Sequence, residues 1–515
     1  MKLPSPSALL RKPRTGEARR AWLHWMPRGV AILGSAIVAG CAVGPNFKKP
    51  AAPEITSYAA QPAATTASTP GVAGGEAQRF SRGGDISADW WTLFHSAPLN
   101  ELIEQSLTKN PDLEAAQAAL SVAREGVLAQ RGVYFPSVSA DFSASRTQQS
   151  GSLAPTPANN AQQFNLFTPE VNVSYVADVF GLNRRTVESL QAQAEAVRFQ
   201  MIATYNTLTA NVVVTAIQQG SVQQQIEATH ELIDAETHVL EILRYQFSKG
   251  YANGLDVAAQ ESQLAQAAAT LPPLQKQAAQ LHDLMATLAG EFPSQGPAGP
   301  FELKSLQLPQ DLPLSVPADL VTQRPDVRQA EAALHDASAK IGISVANRLP
   351  NITLTASTGS TALALDQLFT SGTGFWSVGA DLTAPLLQGG TLLHQERAAK
   401  AAYVQAAAQY RSTVLTACAN VADTLAALAQ DAEGLKAAAT ASDAAKTTLD
   451  LAQRQYKDGY AGYLALLSAE QAYQQARITL VQAQASRYAD TAALFQALGG
   501  GWWHRQDLTA DEHGK

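Results

Sequence analysis

"NPDLEAAQAALSVAREGVLAQRGVYFPSVSADFSAS" (residues 110–145) is answered further along the chain by "RPDVRQAEAALHDASAKIGISVANRLPNITLTASTG" (residues 324–359). Pro111 matches Pro325 and Pro136 matches Pro350, both at a spacing of 214 residues. Equal spacing across a helical pattern and the strand pattern after it marks a duplicated unit, not a recurring turn. In each copy one proline opens a helix of about 21 residues, and the next ends it by forcing its neighbour toward extended geometry.

The second half of each unit repeats too. "YQFSKGYANGLDVAAQESQLAQA" (245–267) resembles "RQYKDGYAGYLALLSAEQAYQQA" (454–476), which places Gly250 opposite Gly459. The chain is therefore two copies of one plan, and its architecture must respect a pseudo-twofold relation. Each copy reads as short helix, strand, strand, very long helix, helix.

The strand readings rest on alternation. In "PSVSADFSAS" Val138, Ala140, Phe142 and Ala144 face one way, and Ser137, Ser139, Asp141 and Ser143 the other. "EVNVSYVADVF" sets Val171, Val173, Tyr175, Ala177 and Val179 against Asn172, Ser174 and Asp178. The second copy repeats this with Ile352, Leu354 and Ala356, and then with Trp376, Val378, Ala380 and Leu382 opposite Ser377, Gly379, Asp381 and Thr383. Strands apolar on one face and small, polar or acidic on the other fit a transmembrane barrel wall, or a half-buried soluble sheet.

The helices decide between these. Asn183–Lys249 contains no proline and one glycine in 67 residues, and Thr391–Asp458 no proline and one glycine in 68. Each would reach about 100 Å, a length that implies a tubular or coiled helical assembly. Each ends in a tip, "KGYANGLD" or "DGYAGYL", followed by a shorter returning helix. In the first copy the return runs from Leu255 to Gly290, with Leu274, Leu281 and Leu288 at heptad spacing and Leu284 on the same seam. Short and returning helices together nearly match the long one, so two stacked helices are expected beside each long helix.

A four-stranded sheet has two open edges, which hydrocarbon does not tolerate. Other copies must close it. Two copies give a barrel filled by side chains, and three give twelve strands with an aqueous lumen. The expected fold is a mixed α and β membrane protein: a trimeric 12-stranded transmembrane β-barrel, four strands per protomer, continued by a long periplasmic α-helical barrel, with an internal twofold repeat. Such an object conducts and does not catalyse.

Upstream, residues 1–28 hold seven basic residues against the single acidic Glu17, and Gly29–Gly40 is an apolar run of 12. That is too short for a membrane span and has the pattern of a secretory signal, with Met1 and Met26 both open as starts. Beyond residue 40 the chain carries 30 basic and 43 acidic residues, which argues against a nucleic-acid partner. Residues 42–84 are rich in Pro, Ala, Thr and Gly and read as extended chain. Cys418 lies in a helical pattern and reads as a buried, inert thiol. No P-loop, Rossmann fingerprint, HExxH or clustered His and Cys ligands occur, so neither a cofactor nor a metal is expected.

Val38-Ala39-Gly40-Cys41 resembles a bacterial lipobox, which implies acylation of Cys41 and a lipid anchor. "CAVGPNFKKP", "WWTLFHSAPLNELIEQSLTKNPDL", "IGISVANRLPNITLTASTG", "APLLQGG", "YRSTVLTACANVADTLAAL" and "ALFQALGGGWW" together resemble the TolC-type outer-membrane efflux channels, in particular the NodT-like lipoprotein branch serving resistance-nodulation-division pumps. The resemblance spans residues 38–503. It implies a homotrimer in the outer membrane, lipid-anchored, with a large periplasmic portion that meets a periplasmic adaptor (membrane fusion) protein and an inner-membrane pump. The expected divisions are a signal peptide (1–40), a lipidated extended segment (41–88), two efflux-protein repeats (89–300 and 301–500) and a C-terminal tail (501–515). The alternatives are a non-conducting periplasmic coiled-coil bridging lipoprotein and a type I secretion duct.

By the same resemblance the functional residues sit at the tips. Leu464 matches a gate leucine, and Tyr456 and Gly459 match the aromatic and the turn glycine before it. Where the family often has an acidic and a basic residue after the leucine, this chain has Ser468 and Gln471. Gly250, Asp256, Gly459 and Gly462 mark the tips that would meet the adaptor, and Asp256 with Glu261 is a candidate carboxylate ring. Arg324, Pro325 and Asp326 read as a structural turn, with Asp326 accepting first-turn amides.

Overall fold

The computed structural model describes residues 42–58, 64–148, 163–296, 299 and 301–509. The expected signal peptide and the acylation site Cys41 lie outside the described residues. Along the chain the strands are β1 (Arg79–Arg82), β2 (Ser137–Gln148), β3 (Gln163–Ala177), β4 (Asp311–Leu314), β5 (Asn351–Ser360) and β6 (Gly374–Thr383). The main helices are α1 (Ala97–Lys109), α2 (Pro111–Arg131), α3 (Leu182–Ser248), α4 (Gly254–Leu288), α5 (Pro317–Gln323), α6 (Pro325–Ala346), α7 (Thr391–Lys457) and α8 (Tyr463–Ala497). Two compact units result. Among the described residues, one takes 42–46 with those of Ala129–Glu188 and Ala339–Ala399; the other takes those of Phe47–Leu128 and Ser189–Ser338 and residues 400–509. Each unit draws on both sequence repeats.

The first unit contains a four-stranded antiparallel sheet in the order β2-β3-β5-β6. Its register aligns the apolar positions across all four strands. Val138 opposes Val173, Val173 opposes Ala356, and Ala356 opposes Val378. The row Ser139, Asn172, Ser357 and Ser377 lies on the other face, where the Ser357 and Ser377 hydroxyls share a 2.8 Å hydrogen bond and the Asn172 amide donates to Asp141 at 3.0 Å. The apolar face is not covered: Trp376 is 78%, Val378 75% and Leu382 68% exposed.

Two strand details depart from the alternation. β3 begins at Gln163, before the expected Glu170, although Pro169 lies within it. Phe167 and Ala362 exchange backbone hydrogen bonds (2.9 and 3.0 Å), and the β3–β5 ladder resumes at Glu170 and Gly359. Pro169 interrupts the ladder between them because it has no N–H to donate. Asp178 falls just after β3 and does not line the sheet. Its carboxylate accepts from the amides of Asn183 and Arg184, both at 3.0 Å, at the start of α3, an acidic group at a helix N-terminus.

The second unit is helical, with one main core that includes Trp90, Phe94, Phe199, Ile202, Tyr488 and Phe495. A parallel β1–β4 pair, absent from the sequence reading, ties residues 79–82 to residues 311–314. The ordered core starts before Asp89, since Gln78 and Ile86 are already buried. The segment expected as a tail also packs inward. Trp502 is buried and its indole N–H donates to the Gln323 carbonyl at 2.6 Å.

The stacking of short on returning helices has a visible joint in each repeat. The Asn110 side chain donates to the Leu288 carbonyl at the end of α4 (3.0 Å) and accepts from the amides of Asp112 and Leu113 at the start of α2 (3.0 and 3.3 Å). In the second repeat Arg324 donates to the Ala497 carbonyl at the end of α8 (3.0 Å) and forks onto Asp326 (2.9 and 2.5 Å) at the start of α6. Gly290 and Gly499 follow the returning helices at φ +74° and +105°, where a Cβ would lie 2.3 Å from the Lys109 carbonyl oxygen and 2.6 Å from that of Gln323. Only glycine fits that approach.

Candidate functional site

The tips of the long helices, both in the second unit, are built alike. At the end of α3, Gly250 donates to the Phe247 carbonyl (3.0 Å) and Tyr251 to that of Gln246 (2.9 Å). At the end of α7, Gly459 donates to Tyr456 (3.1 Å) and Tyr460 to Gln455 (2.8 Å). This is the Schellman stop, with glycine left-handed at φ +79° and +78°. Tyr251 and Tyr460 stand outward at the two turns, 85% and 86% exposed.

Behind the turns Leu243, Tyr463 and Leu466 form a small core, with Val239, Val257, Leu449 and Tyr456 packed against it. Tyr456 meets Tyr463 edge-on at 5.8 Å between ring centres. Leu464, one residue beyond the buried Tyr463, turns out of this core and is 58% exposed. One turn on, the Ser468 hydroxyl donates back to the Leu464 carbonyl at 2.9 Å, so it bonds its own helix. Gln471 reaches another helix, its amide donating to Gln263 of α4 at 2.5 Å.

At the first tip Asn253 caps α4, accepting from the Asp256 amide at 2.9 Å. Gly462 holds the same position before α8 and provides no side-chain cap. Glu261, read with Asp256 as a carboxylate ring, is bound to Arg244 of α3 at 2.7 Å. Arg324, Pro325 and Asp326 lie at the α8–α6 joint, where the Asp326 carboxylate accepts from the Val327 amide at 2.9 Å.

The sequence reading missed two buried groups, Arg487 and Glu236, and one half-buried group, Glu470. Arg487 is fully buried, and donates to Gly74, Glu76 and Leu428 carbonyls and to Thr66 Oγ1 at 2.9–3.3 Å, which fastens the extended segment. Glu236 and Glu470 sit beneath the second tip. The Gln260 amide donates to the Glu236 carbonyl at 2.7 Å and to its carboxylate, and the Tyr463 hydroxyl donates to Gln260 Oε1. Burial, with the Glu236 carboxylate nearby, pushes Glu470 up to about 7, and burial raises Glu236 as well. Among the described residues no cluster of His, Cys, Asp or Glu is placed to hold a metal.

A sheet bared on its apolar face, with two open edges and long paired helices in the same chain, defines a channel-forming outer-membrane class. The family model described as outer membrane efflux protein matches residues 102–291 and 316–500, and the chain belongs to that family. It is 28% identical over 474 residues to the probable efflux pump outer membrane protein TtgC of Pseudomonas putida, covering 91% of this chain and 94% of that one. Among solved structures it is similar to the outer-membrane channel OprN (27% identity, TM-score 0.79, 90% of this chain and all of that chain). It is also similar to the open state of the Neisseria gonorrhoeae MtrE outer membrane channel (25% identity, TM-score 0.76, 90% and 99% covered). The protein is an outer-membrane channel subunit of a TolC-type tripartite efflux system, with a conducting and not a catalytic role.

Proposed function

We propose that three copies close into one gated export duct, each contributing the sheet β2-β3-β5-β6 to a 12-stranded barrel. The observation that carries this reading is the register-aligned apolar face, exposed at Trp376, Val378 and Leu382, on a sheet whose edge strands β2 and β6 have no further partner among the described strands. Lipid suits that face, and pairing of β6 with β2 of the next copy removes both edges. Val404 and Leu415 support the helical part of the assembly. They are 11 residues apart, hence on one face of α7, and both are exposed.

Cys41 carries the lipid anchor in this reading, and a periplasmic adaptor joins the duct to an inner-membrane pump of the resistance-nodulation-division type. The tips at Gly250, Asp256, Gly459 and Gly462 face the adaptor. Leu464, turned out of the tip core, constricts the lumen, with Tyr456, Ser468 and Gln471 setting the helix that carries it. The Ser468 and Gln471 bonds stand where an ionic lock would be.

Planar-bilayer conductance of the purified protein, with its oligomeric mass in the same detergent, tests this. A trimer with a small, mostly closed conductance that rises in Leu464→Ala is expected. A folded monomer or dimer that conducts in neither form favours the bridging lipoprotein.

A further inference from the structure

Glu236, Gln260, Tyr463 and Glu470 form a polar cluster from three helices, in which Gln260 is bonded to both Glu236 and Tyr463. Glu236 is 1% and Gln260 0% exposed. One carboxylate oxygen on each glutamate, Oε1 of Glu236 and Oε2 of Glu470, is buried without a hydrogen-bond partner. An unpaired buried carboxylate is costly when charged and much less so when protonated.

Among the described residues, the groups that face Glu470 provide no compensating cation. α3 presents Glu236, and Tyr463 lies two turns back on α8 itself. α4 presents the neutral Gln260 and Gln263, with Asp256 at its start, and α7 contributes Tyr456 to the same core. Arg244 and Arg477 are bound to Glu261 and Glu231, at 2.7 and 2.8 Å. The repeat makes the gap plain. Glu470 is the counterpart of Glu261, and where Glu261 has Arg244, the matching residue of the second repeat is Gln453.

We propose that Glu470 and Glu236 are a proton-operated latch beneath the second tip, which holds α8 against α3 and α4 when Glu470 is neutral and loosens it when both carboxylates are charged. The helix so released carries Leu464, and this consequence for the pore rests on the gate reading above. A group whose folded value is raised from 4.5 to about 7 stabilises the packed tip fully below the lower value. That contribution is lost as pH rises through the upper one. The latch therefore tightens in acid and slackens toward neutral pH.

Amide hydrogen exchange of the full-length protein in detergent reads the latch directly. After correction for the intrinsic pH dependence of exchange, segment 463–471 is expected to be at least about tenfold better protected at pH 5 than at pH 8. In Glu470→Gln, which keeps the shape and is permanently neutral, protection is expected to be high and equal at both pH values, and Glu236→Gln is expected to reduce the difference. Equal protection in the wild type at both pH values, or an undiminished difference in Glu470→Gln, overturns the proposal. Bilayer conductance over the same pH range separates the two readings. Exchange that follows pH in the wild type alone, with a conductance indifferent to pH and to Leu464→Ala, upholds the latch and removes the gate. Conductance that rises in Leu464→Ala while exchange ignores pH does the reverse.

Discussion

The two tips began as copies and no longer do the same work. Both stop a 67-residue helix with a left-handed glycine and an outward tyrosine. Beyond that turn the first is fastened: Asn253 caps α4, and Arg244 holds Glu261. At the second, glycine stands for the cap, Gln453 for the arginine, and the glutamate is half-buried beside a second carboxylate. A duplicated hairpin thus carries one fixed arm and one conditional arm, and the conditional arm holds Leu464. Its counterpart Leu255 sits on the fastened side.

The largest test of this contrast is Gln260→Ala. Its counterpart in the second repeat is already an alanine, the buried Ala469. The substitution strips Glu236 of its donor and Tyr463 of its acceptor, at an expected cost of about 2–3 kcal/mol to the packing of the tip. Amide exchange in 236–245 and 463–471 reads it, and an unchanged exchange pattern would mean that the cluster does not join the helices.

Next come the turns, where the arms should agree. Gly250→Ala and Gly459→Ala meet no neighbouring atom at the new Cβ, so only the positive φ opposes them. Each is expected to cost about 1–2 kcal/mol. Equal losses in local exchange confirm that the turns are equivalent and that the asymmetry lies in the returning helices. A clear inequality would move it into the turn.

Much of this frame is legible in the sequence, because helices free of proline and glycine and strands with strict alternation announce themselves locally. Less was legible wherever a distant segment decides the outcome. Pro169 looks like a strand boundary, yet β3 continues because its pairing with β2 at Phe142 needs nothing from the proline nitrogen. Pro272 and Pro273 fall inside the return read as Leu255–Gly290, and α4 does run through them, losing the bonds their missing N–H groups would have made to the preceding turn. Glu236 and Glu470 carry no local signal of burial, and packing against a third helix buries the first and half-buries the second. Arg487 in "QASRYAD" is similar, since the carbonyls it binds come from residues more than 400 positions away and from the facing helix.

The smallest effects test the caps, and they bear most directly on which arm moves. Asn253→Ala removes the bond to the Asp256 amide and is expected to destabilise the start of α4 by about 1 kcal/mol. The reciprocal change, Gly462→Asn, is expected to stabilise the start of α8 by only a few tenths of a kcal/mol, because glycine is itself a tolerable N-cap. Nothing in the geometry demands glycine there. Its φ is −77°, and a Cβ would meet no atom within 4 Å. If the uncapped start is what lets α8 yield, Gly462→Asn should lower the open fraction in bilayer recordings while Asn253→Ala leaves it unchanged. If both substitutions shift the open fraction alike, the first tip moves as well, and the division into fixed and conditional arms fails at the point where Leu464 joins the turn.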